Sequence, residues 1–363
     1  MIKLKKKFIK NINGLNYFYL ESGKINKIKS NVILFLHGFP ELSYSYRHLL
    51  KNFSNEGYYC IAPDQRGYGK TSFTYPVKTN ATDYSIFNLT KDIFHLLVKL
   101  KVRNINLVGH DFGSYVASYF CLFYPKLVKS LVLMSMPFGG IADEKALLNT
   151  IQADKSLRSL KPPRKHYQTY FAGRTANKNM MYCKQGVTNF LRAYYHFKSY
   201  DYYGNKPQKL KNYSAKELSK MPEYYIMKRN KGMAQTVNNY MPKPNQIKKC
   251  QWLTNSDLNV YSTHFKKNTF QGPLNWYKMM LNVKQNKKIK DLKLSNFIDI
   301  PTIFISGKSD WGIYQKPGQL EDMKKFFKKF HGIFLIKKAG HWVQQEQPEK
   351  TFQAMNKFYK SIS

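Results

Sequence analysis

The sequence predicts an α/β protein with a mostly parallel central sheet, flanked by helices and interrupted once by a helical insertion. Three observations predict it. Short apolar runs bounded by turns recur through the first third of the chain, amphipathic stretches of helical spacing separate them, and the pattern lapses near residue 139 and resumes near 297. Strands that alternate with helices imply a parallel sheet covered on both faces.

Taken in order, residues 31–37 and 58–62 are continuous apolar runs and are expected to be buried strands. Residues 105–108 and 130–134 continue the series, and 88–100 and 115–123 between them have the spacing of amphipathic helices. From 139 to 296 the chain is polar and rich in Tyr and Lys, with helical stretches and no strong buried strand. After Ile300-Pro301, residues 302–306 and 333–336 supply two further strands. The expected organisation is a core of 1–138 and 297–363, with a helical cap of 139–296 inserted between core strands. Such an insertion is placed to cover the C-terminal strand ends, where open α/β sheets bind ligands.

Composition excludes several classes. With 43% hydrophobic residues, 28 Tyr and 25 Phe in 363 positions, the chain can bury a large core and is not a disordered one. Its formal charge of +39 favours nonspecific attraction to polyanions. The lysines are scattered, as at 5–7, 287–290 and 324–329, with no nucleic-acid module around them, so no specific nucleic-acid partner is expected. The four cysteines (Cys60, Cys121, Cys183 and Cys250) are too widely spaced for a disulfide scaffold or a zinc site. No apolar signal-peptide segment follows the basic start, and no run approaches a membrane span. A reduced, cytoplasmic setting is the expectation, and a homodimer is compatible with the composition.

The chemistry is concentrated in three motifs. Gly109-His110-Asp111-Phe112-Gly113 follows a strand and opens a helix, the layout of a nucleophile elbow. The glycines permit a tight, strained turn that lifts residue 111 clear of the sheet. Serine is usual there, and here it is Asp111. An aspartate is ionised at neutral pH and can attack a saturated carbon bearing a leaving group, giving an alkyl ester of the enzyme. Asp111 could instead merely cap the following helix.

The second motif, His37-Gly38-Phe39-Pro40-Glu41, follows an apolar strand. Its turn brings the Phe39 N–H toward the elbow, where it makes an oxyanion hole with the N–H of Phe112. The third pairs Gly340-His341-Trp342 with Asp310 at the end of the preceding strand, a base and its orienting acid in the order nucleophile, acid, histidine. Asp143 is the alternative acid.

These residues, with Asp64-Gln65-Arg66-Gly67-Tyr68-Gly69 between them, resemble the epoxide hydrolases of the α/β-hydrolase superfamily over nearly the whole chain. The resemblance implies two cap tyrosines that hold and protonate the epoxide oxygen. His166-Tyr167-Gln168-Thr169-Tyr170-Phe171 is similar to the first tyrosine motif, with Tyr167 aligned and Tyr170 the alternative. Phe270-Gln271-Gly272-Pro273-Leu274-Asn275-Trp276-Tyr277 is similar to the second and points to Tyr277. It also implies that Glu41 helps place the hydrolytic water, that the substrate is a small and largely apolar epoxide, and that no metal or organic cofactor takes part. Phe112 stands where the family often has Trp.

A haloalkane or haloacid dehalogenase shares the Asp-His-acid machinery and is the rival. Its halide needs side-chain N–H donors, commonly Trp beside the nucleophile, which Phe112 and Phe39 do not offer. A noncatalytic ligand-binding protein on the same fold is the remaining alternative.

Overall fold

The computed structural model describes residues 4–24, 31–74, 80–141 and 144–362. Strands β1 (Lys5–Ile12), β2 (Leu15–Ser22), β3 (Val32–Leu36), β4 (Tyr59–Pro63), β5 (Ser72–Phe73), β6 (Ile105–His110) and β7 (Val128–Met134) come first. They are followed by β8 (Arg164–His166), β9 (Ile226–Lys228), β10 (Thr302–Gly307) and β11 (Phe330–Ile336). Among the described residues nine strands form one sheet, in the order β1-β2-β4-β3-β6-β7-β10-β11 with β5 paired to β2. From β4 to β11 every neighbouring pair is parallel, while β2 pairs antiparallel with β1, β4 and β5.

Alternation along the central strands divides the core into two layers. Leu34, Leu36, Leu107, Leu131, Leu133 and Phe304 face helices Ile86–Leu100 and Phe112–Phe123. Ile33, Phe35, Val108, Val132, Ile303 and Ile305 face helices Arg47–Asn55 and Pro348–Ser361 on the other side. Because both faces are covered, these strands carry unbroken apolar runs, and that is why they were visible in the sequence. β1 was not visible: its residues are mostly exposed and it is lysine-rich, a composition that protects an edge strand from pairing with other chains.

Between β7 and β10 the chain leaves the sheet and forms a mainly helical layer, with helices that include Gly186–Lys198, Asn255–Asn268 and Gln271–Met280. It also contains one short antiparallel ribbon, β8 with β9. The sequence pattern showed no strand here, since three residues are too few to display a period of two. The layer is bound to the core by polar contacts. Tyr195 Oη donates to Pro40 O at 2.9 Å, Trp342 Nε1 to Tyr195 O at 2.9 Å, and Arg47 lies 3.2 Å from Asp257.

Candidate active site

The elbow forms at the C-terminal end of β6. Asp111 has φ 51° and ψ −119°, a left-handed conformation in a residue other than glycine that costs about 1–3 kcal/mol and is held by close packing. A Cβ on Gly109 would lie 2.3 Å from Gly113 O, and one on Gly113 would lie 1.9 Å from Leu36 O. Only glycine fits at either place. Asp111 occupies the N-cap position of helix Phe112–Phe123, but its side chain accepts no bond from that helix. A mere cap is thereby ruled out.

The carboxylate points toward β3 and its turn. Phe39 N–H donates to Asp111 Oδ1 at 3.1 Å. Phe112 is the first residue of its helix, so its N–H has no intrahelical acceptor. The turn approaches so closely that a Cβ on Gly38 would meet Asp111 Oδ1 at 2.7 Å. Burial acts to raise the pKa of Asp111, but the neighbouring His341, Lys198 and His110 outweigh it and hold the group well below the usual carboxylate range. Asp111 is an anion throughout the neutral range.

His341 follows β11 and is buried. Its Nδ1 lies 3.2 Å from each carboxylate oxygen of Asp310, while Nε2 makes no hydrogen bond among the described residues and faces Asp111 Oδ2 at 3.5 Å. Asp310 in turn accepts from Gly312 N–H at 2.6 Å and Ser306 Oγ at 3.2 Å. Burial pushes the Asp310 pKa up, and His341, Lys198 and the Gly312 N–H more than offset that. A carboxylate on Nδ1 fixes the tautomer with its lone pair on Nε2. Asp143 lies outside the described residues.

Tyr167 begins helix Tyr167–Ala172, and Tyr277 lies in helix Gln271–Met280. Both line one cavity of about 90 Å³ together with Asp111, Phe112, Met136 and Gln315. Their rings are 6.0 Å apart, and Phe39, Phe112 and Phe171 surround Tyr277 at 5.6, 4.6 and 5.0 Å. The alternative tyrosine is occupied elsewhere: Tyr170 Oη donates to Asn179 at 2.8 Å and accepts from Met233 N–H at 3.2 Å. Tyr170 does not line the cavity.

Residues 31–348 match the alpha/beta hydrolase fold family. Epoxide hydrolase 3 of Siraitia grosvenorii is 31% identical over 326 residues, covering 88% of each chain. Epoxide hydrolase B of Mycobacterium tuberculosis is 28% identical over 330 residues, again 88% of each. Among solved structures, a laboratory-evolved variant of potato epoxide hydrolase is 26% identical with a TM-score of 0.76, covering 99% of this chain and 100% of that one.

The chain belongs to the epoxide hydrolase family of the α/β hydrolases.

Within that family assignment, the feature that distinguishes a dehalogenase is missing from the cavity. No tryptophan is among the described residues that line it, and Trp276 beside Phe112 spends its indole N–H on Arg66 O at 3.1 Å. Glu41 has different neighbours from those the resemblance implied. It is buried behind the elbow, where it accepts from Gly38 N–H at 3.1 Å, Gln344 at 2.8 Å and Gln345 at 3.1 Å, and pairs with His110 Nδ1 at 2.5 Å. The other His110 nitrogen lies 2.7 Å from His341 O, so both ring nitrogens face acceptors and His110 carries both protons. Burial lowers the His110 pKa, and Glu41 more than reverses that. Nothing in the elbow motif itself marks His110, whose partner Glu41 lies 69 residues earlier in the chain.

Nothing in sequence separates Lys198 from the other 59 Lys and Arg, so it carried no signal there. It is 3% exposed, and its ammonium lies 5.2–5.7 Å from the ring centres of Tyr194, Tyr224, Tyr225 and Trp342. Among the described residues no cluster of His, Cys, Asp and Glu could hold a metal ion. The four cysteines are free, and no described helix is long and apolar enough to cross a membrane.

Proposed function

We propose that this protein adds water to a small, largely apolar epoxide through a covalent ester on Asp111, with residues 139–296 as the cap that closes the site. The observation that carries the reading is the shared cavity, which an ionised Asp111 lines together with Tyr167 and Tyr277. Asp111 Oδ2 attacks an epoxide carbon. The carbon–oxygen bond of the ring breaks, and its electron pair goes to the epoxide oxygen, which takes a proton from the tyrosines. Both hydroxyls are suited to giving that proton only to a strong base, since burial and the Asp111 charge raise the pKa of each.

His341 Nε2 then removes a proton from water, whose oxygen attacks the ester carbonyl carbon. The charge develops on Oδ1, which the Phe39 N–H already holds and the Phe112 N–H is free to approach. Collapse breaks the bond to Oδ2, His341 returns its proton to the departing alkoxide, and the second water proton restores the tyrosine. A vicinal diol leaves, and the sequence of steps balances without metal or cofactor.

Glu41 serves this scheme by pairing with His110 and bracing the Gly38–Phe39 turn, so that any influence on the water passes through His110. Every proposed group comes from a single chain, so a homodimer is not required for the chemistry. Four free thiols suit a reducing compartment such as the cytoplasm. The test is trapping. His341→Gln incubated with an epoxide should accumulate an adduct on Asp111 visible by peptide mass spectrometry, and Asp111→Asn should form none. Undiminished turnover by the His341 variant without an adduct overturns the reading.

A further inference from the structure

The general base is mounted partly on the cap. His341 N–H donates not to the core but to Lys198 O, at 2.9 Å, at the C-terminal end of helix Gly186–Lys198. The residues on either side of His341 are held by one carboxylate: Glu346 accepts from Gly340 N–H at 2.9 Å and from Trp342 N–H at 2.9 Å. The oxygen that takes Gly340 N–H also takes the N–H of Tyr200, two residues beyond Lys198, at 2.8 Å. The two segments are in direct contact, since a Cβ on Gly340 would lie 2.6 Å from Lys198 O and 2.7 Å from Tyr200 N. Burial pushes the Glu346 pKa up to about 8, and the three N–H bonds pull against it.

We propose that Glu346 is a positioning residue that fixes His341 to the cap segment 198–200, so that the base is aligned for ester hydrolysis only while the cap is seated. The geometry restricts the effect to one half of the reaction. Glu346 bonds both flanks of His341 and makes no hydrogen bond to Asp111, Tyr167 or Tyr277. Ring opening uses Asp111 and the tyrosines and does not need Nε2, whereas activation of water does. A displacement of about 1 Å in a reacting group costs on the order of 100-fold in rate.

This inference rests on the proposed ester mechanism and is tested by Glu346→Gln in the full chain, since glutamine keeps only one accepting oxygen. In rapid-quench single turnovers with an epoxide, ester formation should stay within a few-fold of the parent. Ester decay should slow about 10- to 100-fold, so kcat and KM fall together and kcat/KM holds. Equal losses in both phases, or unaltered decay, overturn the proposal. If Glu346→Gln does not fold, amide exchange in the unmodified protein decides. The Tyr200 amide should be protected alongside those of Gly340 and Trp342, and fast exchange at Tyr200 with protection at the other two overturns it. Failure of every epoxide to form any ester refutes the mechanism instead, and the exchange result is independent of that outcome.

Discussion

His341 Nε2 lies 3.5 Å from Asp111 Oδ2, and Nε2 makes no hydrogen bond among the described residues. The separation is long for a hydrogen bond, so the base and the nucleophile are adjacent but not tied to one another. That suits two groups used in sequence. In the proposed scheme Asp111 must be free to attack, and His341 must then work on water at the same carbon. Asp310 makes the arrangement asymmetric by holding Nδ1 from behind.

Asp310→Asn tests that asymmetry. The asparagine amide can donate to Nδ1 and so move the imidazole proton to Nε2, which loses its lone pair. A tautomer change of this kind costs about 10⁴-fold in a serine-protease triad, and kcat is expected to fall by a similar order. Ester formation should survive, so adduct should accumulate at Asp111. Loss of adduct formation together with turnover would show that Asp310 supports the nucleophile and not the base.

Tyr167 and Tyr277 supply the second test. Replacing both with Phe removes the proposed acid and should slow ring opening by about two to four orders of magnitude, with Tyr170→Phe close to the parent because its hydroxyl serves Asn179 and Met233. The pH dependence has a definite sign. Burial disfavours the phenolate, and the Asp111 charge disfavours it further, so each proton is retained above the ordinary value of 10.0. The rate of ester formation should therefore hold to at least pH 10, measured by stopped-flow single turnover. An alkaline limb near neutrality would assign the acid to some other group.

How much of this was legible depends on what each feature needs from its neighbours. Asp111 and Phe39 sit on short turns after buried strands and His341 on one after the half-exposed edge strand β11, and both the apolar runs and the turn glycines are local signals. Tyr277 was legible because seven residues around it carry a motif. Tyr167 could not be separated from Tyr170 in sequence, since the two are three apart on one short helix and only the fold decides which faces Asp111. Lys198, Glu346 and the Glu41–His110 pair were not legible. Glu41 and His110 are 69 residues apart in the chain and Glu346 and Tyr200 are 146 apart, and each looks like an ordinary polar residue until the chain is folded.

Gly113→Ala tests whether the elbow is as tight as its contacts indicate. The new Cβ would lie 1.9 Å from Leu36 O, a backbone atom of the central strand β3 that cannot move without breaking the sheet. Overpacking in a core costs about 1–3 kcal/mol, and a clash with strand backbone belongs at or beyond the upper end. A fall in melting temperature with loss of adduct formation is expected. A variant with parental stability and activity would show that the turn has slack.

The source of the product oxygen tests the assignment of Asp111 most directly. If His341 merely activated water for attack on the epoxide carbon, solvent oxygen would appear in the diol on the first turnover. In the ester route water attacks the carbonyl carbon, where the Phe39 N–H already holds Oδ1 and can stabilise the developing charge. The bond that breaks is then the one from that carbon to Oδ2, and the diol leaves with the oxygen that attacked. Solvent oxygen enters the carboxylate first and reaches product only on later cycles. A single turnover in heavy-oxygen water, with enzyme in excess, should give mostly unlabelled diol and a peptide whose label sits on Asp111. Labelled diol in that first turnover, with Asp111 unlabelled, would make the elbow aspartate a base or a binding group and would transfer the chemistry to direct attack by water.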